Sequence, residues 1–376
     1  MLYLDHNATT PILSQVQEAM IPILSQPLNP SSIHSCGRIA KAIIEEARGS
    51  IARMIGLDLR KNGYGLIFTS SGTEANNLMM KGYCHSSLRE DDRILVSSIE
   101  HHSILRHSEY NSNIDILEVD SNGIVKIDLL EEWLARNNGG LVSIMLANNE
   151  TGVIQPIKQI SSLVHKYNGL LHSDCIQVIG KIALDLIDCD IDFVTISGHK
   201  FGGALGAGAL IYRNKYSIAP QIIGGGQERG TRAGTENVAA IASMGAAAEY
   251  HLSWNGRSCV SNLRDLFESR IASLCQDVQI FGKDVPRLPN TSMLTMPGVP
   301  ASKQLIAFDM AGIALSSGSA CSSGKVKSSH VLGAMGVDPE IADWAIRVSF
   351  GSGNTESDVD RLVDTWITIW KNNDKK

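Results

Sequence analysis

Aromatic residues make up only 5% of the 376 residues, and no apolar run reaches the ~18 residues that a membrane span needs. The most apolar stretch, Val238 to Ala248, is short and rich in alanine, as in a packed helix. Met1-Leu-Tyr-Leu-Asp5 has neither the basic start nor the apolar stretch of a secretory signal, so a cytoplasmic location is expected. Lysine and arginine form no cluster and the net charge is −6, which argues against direct binding of nucleic acid or of a membrane surface. The basic end, Lys371 to Lys376, reads as a solvated terminus. Seven cysteines, at 36, 84, 175, 189, 259, 275 and 321, are odd in number, scattered and nowhere spaced as C-x-x-C. That excludes a disulfide framework and a local zinc site. Neither a G-x-x-x-x-G-K-[ST] loop nor a strand-linked G-x-G-x-x-G occurs, which counts against nucleotide binding.

What is present is glycine, 34 residues of it, and an alternation of short apolar runs with amphipathic segments. Ile39 to Ile55 has helical spacing. Strand-like Gly65–Thr69 precedes a helix over Glu74–Lys81, and Arg93–Ser97 precedes a short helix near Ser103. Leu141–Leu146 precedes a helix from Pro156 to Tyr167, and strands are expected at 169–174, 191–196 and 207–212. Such alternation predicts an α/β fold, a mostly parallel sheet with helices on both faces. After a helix over Glu236–Trp254 the character changes. A helix over Asn262–Leu274 and turn-rich strands predict a smaller α+β domain from about residue 256.

Several strand ends carry chemistry. Ser197-Gly-His-Lys200 follows Ile191–Ile196 and places an amine at the carboxyl edge of the sheet, where open α/β sheets bind ligands. The strand 169–174 ends in Asp174. An amine and a carboxylate at neighbouring strand ends suit pyridoxal phosphate, with lysine for the Schiff base and aspartate for the ring nitrogen. Thr69-Ser-Ser-Gly-Thr-Glu74 could hold a phosphate at a helix start, although a helix cap alone would read the same way. Glu100-His101-His102 is a poor two-point metal site, because adjacent helical residues do not face one another. A single histidine there could lie on a cofactor ring, act as acid or base, or be structural. Amides in Ala147–Gly152 and Gln177 could position a phenolic oxygen, or simply serve their loops. Cys321 lies in Leu315-Ser-Ser-Gly-Ser-Ala-Cys-Ser-Ser-Gly324, unlike the apolar setting of a structural cysteine, and reads as a reactive thiol. Arg347, inside the apolar Ala345–Ser349, calls for a carboxylate, internal or from a substrate.

Together these segments resemble the cysteine desulfurases of the NifS/IscS type, a branch of the class V aminotransferase family with the type I pyridoxal-phosphate fold. The resemblance runs in order from Tyr3–Pro11 through Asn29–His34, SGTEANN, EHHS, NNETG, SDCIQ, SGHKFGG, GGGQERGTRAGTEN and SSGSACSSGK to IRVSFGSGNT. It implies a large cofactor-binding domain over 13–255 and a small domain from 1–12 and 256–376. Lys200 would bind the cofactor, Asp174 pair with the pyridine nitrogen, Gln177 and Asn149 flank the ring oxygen, and His101 stack on the ring. Gly72, Thr73, Ser197 and His199 would hold the phosphate, and Thr235 would reach it from the other subunit of a homodimer. Asn29 and Arg347 would bind the substrate carboxylate. Cys321 would accept sulfur from L-cysteine and pass it to an acceptor or iron–sulfur scaffold protein. No intrinsic metal site is implied beyond a transient iron–sulfur contact at Cys321. Two departures stand out: Ser71 where glycine is common, and Ala204-Leu205 in place of a frequent proline and basic residue.

The mechanism so implied uses Lys200 to take the Cα proton, His101 to take the substrate thiol proton, and the Cys321 thiolate to attack the substrate sulfur, leaving L-alanine. Other readings are a selenocysteine lyase, an aminotransferase on the same fold, a Cys/His hydrolase using Cys321 and His330, or a non-catalytic scaffold. Transamination has no use for Cys321, while the hydrolase leaves Lys200 and Asp174 unexplained.

Overall fold

The structure, a computed structural model, describes residues 1–87, 93–253, 257–318 and 328–373. After a short first strand, β1 (Leu2–Tyr3), the chain builds β2 (Tyr64–Thr69), β3 (Ile94–Ser97), β4 (Ile114–Leu117), β5 (Leu141–Ser143), β6 (Leu170–Asp174), β7 (Phe193–Ser197) and β8 (Gly208–Arg213). These seven form one sheet in the order β2-β8-β7-β6-β5-β3-β4. Only β8 runs against the rest, since it is antiparallel to both β2 and β7.

The strands are apolar on both faces because both faces are covered. Along β2, Leu66 and Phe68 join one core, while Ile67 joins another with Met79 and Met80 of the helix Gly72–Ser87. The alternation repeats at Leu95 against Ile94 and Val96, and at Val194 against Phe193, the period of two that a pleated strand imposes. Helices Ser35–Met54 and Val238–Ser253 bury Ile44, Ile51 and Met244 in the first of these cores. The type I fold class and the mostly parallel sheet expected from the sequence are what the chain adopts.

A third core gathers Leu2 and Leu4 with Phe267, Phe308, Val348 and Trp366. Around it lie β9 (Thr291–Thr295), β10 (Ile313–Ala314), β11 (Ser316–Ser317) and β12 (Ala345–Ser349), in a three-stranded antiparallel sheet β11-β12-β9 and a parallel pair β1-β10. Val331, Leu332 and Met335 turn away from this core and join the first one. The N-terminal segment ties the two regions together. Ser349 N donates to Leu4 O at 2.8 Å, and Thr10 N donates to His199 O at 2.9 Å, so residues 4–10 cross from β12 to the lysine segment.

Candidate active site

A cavity of about 230 Å³ opens where β2, β6 and β7 end. Ten of the residues singled out from the sequence line it: Gly72, Thr73, His101, Asn149, Asp174, Gln177, Ser197, His199, Lys200 and Arg347. They come from the ends of five strands, β2, β3, β5, β6 and β7, and from β12, and only the fold brings them together.

Lys200 follows β7 in a single turn, and its Nζ donates to the backbone carbonyls of Asn7 at 2.7 Å and Ala8 at 2.8 Å. Asp174 is the last residue of β6 and is buried. Its carboxyl accepts from Asn76 Nδ2 and from Ile176 N, both at 2.9 Å. Burial raises its pKa, against which those donors and the Lys200 charge pull it down. Glu100 is buried nearby and pushed well above the carboxylate range by burial and then by Asp174. Its one hydrogen bond here is from Met145 N, at 2.6 Å. Of the two acids, Asp174 has more donors, which makes it the better placed to carry the negative charge.

His101 caps the short helix His102–Leu105, accepting from Ser103 N at 3.1 Å through Nδ1. The neutral ring then carries its proton on Nε2. Burial, Lys200 and the neighbouring histidines His102 and His330 lower its pKa to about 4, so it is uncharged at neutral pH. His199 is lowered to about 4 by burial and by Lys200, with its Nδ1 at 3.1 Å from Thr9 Oγ1.

At 70–74 the helix cap forms and still leaves the loop facing the cavity, so it does not rule out the anion-holding alternative. Glu74 N donates to Ser71 Oγ at 3.1 Å and Ser70 N donates back to Glu74 at 2.9 Å, while Ser71, Gly72 and Thr73 face the cavity. A Cβ at Gly72 would displace the tip of the Ile176 side chain, so glycine leaves this part of the cavity open. Two buried polar atoms on residues lining the cavity, Ser197 Oγ and Asn149 Oδ1, have no hydrogen-bond partner among the described residues. Buried polar groups are normally paired, so such orphans mark where a polar ligand sits.

Arg347 has the carboxylate its sequence context called for, and the partner is internal. Its Nη2 is 2.6 Å from Asp5 Oδ1 and its Nη1 donates to Asn149 O at 3.0 Å. Nε is buried without a partner among the described residues. Other expected residues are not in the cavity of this single chain. Asn29 sits exposed in a turn, accepting from Ser31 N at 2.9 Å, and Thr235 is exposed beyond the 3-10 turn Gln227–Gly230. Cys321 lies outside the described residues. Cys175, Cys189 and Cys275 are buried thiols. Among the described residues no group of acidic, histidine and cysteine side chains could hold a metal ion.

Three residues were not singled out from the sequence. Asn7 binds residues from both halves of the chain, Lys181 is a buried amine beside it, and Asn76 holds Asp174. Asn7 lies in the Tyr3–Pro11 stretch and Asn76 in the SGTEANN stretch. Lys181 carries no local signal beyond its place four residues after Gln177.

The chain matches the family model described as Aminotransferase class-V over residues 2–362. It is 39% identical over 370 residues to the cysteine desulfurase IscS of Dictyoglomus turgidum, covering 96% of this chain and 93% of that one. Its fold superposes on a NifS-like protein from Rickettsia africae ESF-5 with a TM-score of 0.91, at 42% identity over 99% of each chain. A second solved structure, described as SspA in complex with cysteine, matches at TM-score 0.80 and 29% identity, over 93% of this chain and 99% of that one. The chain belongs to the class V aminotransferase family.

Proposed function

We propose that this protein is a pyridoxal-phosphate-dependent cysteine desulfurase that converts L-cysteine to L-alanine and leaves the sulfur as a persulfide on Cys321. The observation that carries the reading is a half-buried amine, Lys200, and a buried carboxylate, Asp174, in one cavity with two polar atoms that have no partner among the described residues. The cofactor fits these residues. Gly72, Thr73, Ser197 and His199 would hold its phosphate, Asp174 its pyridine nitrogen, Asn149 and Gln177 its ring oxygen, and His101 would cover its face.

When bound, the cofactor supplies an electron sink for the substrate's Cα electrons. Lys200 anchors it and then carries the Cα proton. Asp174, whose carboxylate two N–H donors favour, keeps the ring nitrogen protonated. His101 is a neutral imidazole, so it can take the substrate thiol proton only if the proton on Nε2 moves to Nδ1. Arg347 and Asn29 bind the substrate carboxylate, and the partnerless Arg347 Nε is the donor left for that contact. The substrate Cβ–S bond breaks as its sulfur bonds to the Cys321 thiolate, so one cysteine yields one alanine and one Cys321 persulfide. That persulfide passes to an acceptor or iron–sulfur scaffold protein.

The site is shared in a homodimer in this reading, with Thr235 reaching the phosphate of the partner subunit. Ile33 and Ile223, 92% and 86% exposed, support an unfilled apolar surface. Gln227 Nε2 donates to Ser31 Oγ at 3.3 Å, which makes their two segments neighbours. We place the chemistry between two units, 13–255 for the cofactor and 1–12 with 256–376 for the thiol, in the cytoplasm.

The test is direct. Purified protein given pyridoxal phosphate should turn yellow, and borohydride reduction should leave the adduct on Lys200. With labelled cysteine and no reductant, label should sit on the Cys321 peptide and leave with dithiothreitol. Cys321→Ser should keep the spectral response to cysteine and lose both label and alanine. Full alanine release by that variant would make this another class V enzyme.

A further inference from the structure

We propose that Lys181 is a positioning residue of this cavity. Its buried amine fixes the side-chain amides of Gln177 and Asn7, and through them the donor offered to a bound cofactor and the acceptor that holds Lys200. The cofactor half of this inference rests on the function proposed above.

Lys181 is buried, and its Nζ donates to Gln177 Oε1 at 2.6 Å and to Asn7 Oδ1 at 2.7 Å. Among the described residues it has no carboxylate partner in an ion pair. Burial, with Lys200 and Arg347 nearby, holds its pKa far below the ordinary lysine range. Lysine offers donors and no acceptor, and two amide oxygens receive them.

Those two bonds decide which way each amide points. Gln177 gives its oxygen to Lys181 and one N–H to Asn7 O at 3.0 Å. Its remaining N–H is the group it can offer to the cavity it lines. Asn7 gives its oxygen to Lys181 and to Asn290 Nδ2 at 3.1 Å, and its nitrogen to Thr291 Oγ1 at 2.9 Å and Asn149 O at 3.2 Å. Turning either amide over would set donor against donor and acceptor against acceptor. The same Asn7 also accepts Lys200 Nζ on its backbone carbonyl. Lys181 is thus two hydrogen bonds from the amine that would bind the cofactor, touching neither cofactor nor substrate in this reading. A lysine kept only to fill space would need no such match of donors to acceptors.

A double-mutant cycle tests the claim, because residues that act through one another do not add. Lys181→Met keeps the stem and removes the donors, and Gln177→Leu removes the amide it orients. With the holoprotein, each single variant should weaken pyridoxal phosphate about 10-fold, the loss of one hydrogen bond. The double variant should be no more than about 2-fold weaker than Gln177→Leu. The pH midpoint of the visible band should rise equally in all three, a shift that a purely structural lysine would not cause. An affinity within 2-fold of wild type for Lys181→Met, or independent effects multiplying to about 100-fold, would overturn the proposal. The apoprotein gives a second reading. Melting temperatures of the four forms should be non-additive without any cofactor, and additive values also overturn it. A wild type that never gains a band defeats the functional reading alone, since the apoprotein cycle still judges Lys181. Should Lys181→Met fail to fold, Lys181→Gln takes its place in the same cycle.

Discussion

At their carboxyl ends β6 and β7 deliver Asp174 and Lys200 into a cavity with orphaned polar atoms and histidines held near pKa 4. At their other ends the same two strands begin among charges that are all matched. His165 binds Asp190 through Nδ1 at 2.9 Å and Asp192 through Nε2 at 2.8 Å, and Arg213 of β8 pairs with both aspartates. Leu171 N, at the start of β6, also donates to Asp192, at 2.9 Å. One edge of the sheet pairs its charges with one another, and the other leaves a hydroxyl and an amide oxygen without partners among the described residues. Unsatisfied groups are costly in a folded chain and persist where a ligand completes them.

The sharpest break in this contrast should come from Lys200→Ala. It should abolish the reducible cofactor adduct and lower turnover by at least ~10²–10⁴-fold, the range for losing a positioned acid or base. Its melting temperature should stay near that of wild type, since Lys200 is only half-buried and lines the cavity, where it donates to the backbone carbonyls of Asn7 and Ala8. A large loss of stability instead would mean that the lysine is a strut of the fold.

Arg347→Ala should cut both ways, because Arg347 lines the cavity and also pairs with Asp5. Removing it leaves Asp5 without its cation, and breaking one side of a buried pair costs about 3–5 kcal/mol at most. Asp5 is partly exposed, which reduces that cost. The kcat/KM for cysteine should fall ~10²-fold. Asp5→Asn keeps Arg347 in place, so it should lose stability while retaining most of the kcat/KM. If both variants lose activity equally, Arg347 acts only by holding the N-terminal segment.

Sequence reading reached the strand ends because each carries its chemistry next to a local pattern. Asp174 and Lys200 directly follow apolar runs, and Gly72 opens a helix. It failed where the partner is remote. Asp5 and Arg347 are 342 residues apart, and Lys181 and Asn7 are 174 apart, so nothing local couples them. Helices Ser14–Leu24, Ile127–Asn137, Ala301–Met310 and Glu356–Asn373, and the strand β4, were not anticipated. The first of these contains Pro22 and buries only Val16, which leaves little apolar stripe to read. The antiparallel insertion of β8 between β2 and β7 has no sequence signature, because strand direction depends on where the chain returns.

Glu150 extends the comparison to a carboxyl beside the site. It is buried, accepts from the Ser329 hydroxyl, and lies 3.9 Å from His330 Nδ1. Burial raises its pKa to about 7, against which the Ser329 bond and the Arg347 charge act. A folded pKa above the unfolded one means that its contribution is complete below about pH 4.5 and lost as pH rises through about 7. Glu150→Gln should therefore flatten the decline of unfolding free energy between pH 5 and 8, by at most about 3 kcal/mol at one pKa unit per 1.36 kcal/mol. An unchanged profile would place the proton elsewhere.

The smallest effect should come from the matched edge. The hydrogen bond from His165 to Asp192 raises the histidine pKa against the pull of burial, with Asp190 adding to it. Asp192 is pushed up by burial yet held below its ordinary value by His165, Leu171 N–H and Arg213. The two signs differ. The histidine's share of stability is complete below its unfolded pKa of about 6.5 and fades as pH rises through the higher folded value. The share from Asp192 is present above about 4 and fades as pH falls through its lowered folded value. The edge should therefore be most stable between about pH 4 and 6.5. His165→Gln keeps a donor and removes the titration. Because the histidine is partly exposed, solvent screens the gain, and the variant should lose only about 1–2 °C at pH 6 and less at pH 8.5. Cofactor binding should be untouched, since His165 lies across the sheet from the cavity. A loss at pH 8.5 as large as at pH 6 would show that the ring, and not its charge, holds this edge together.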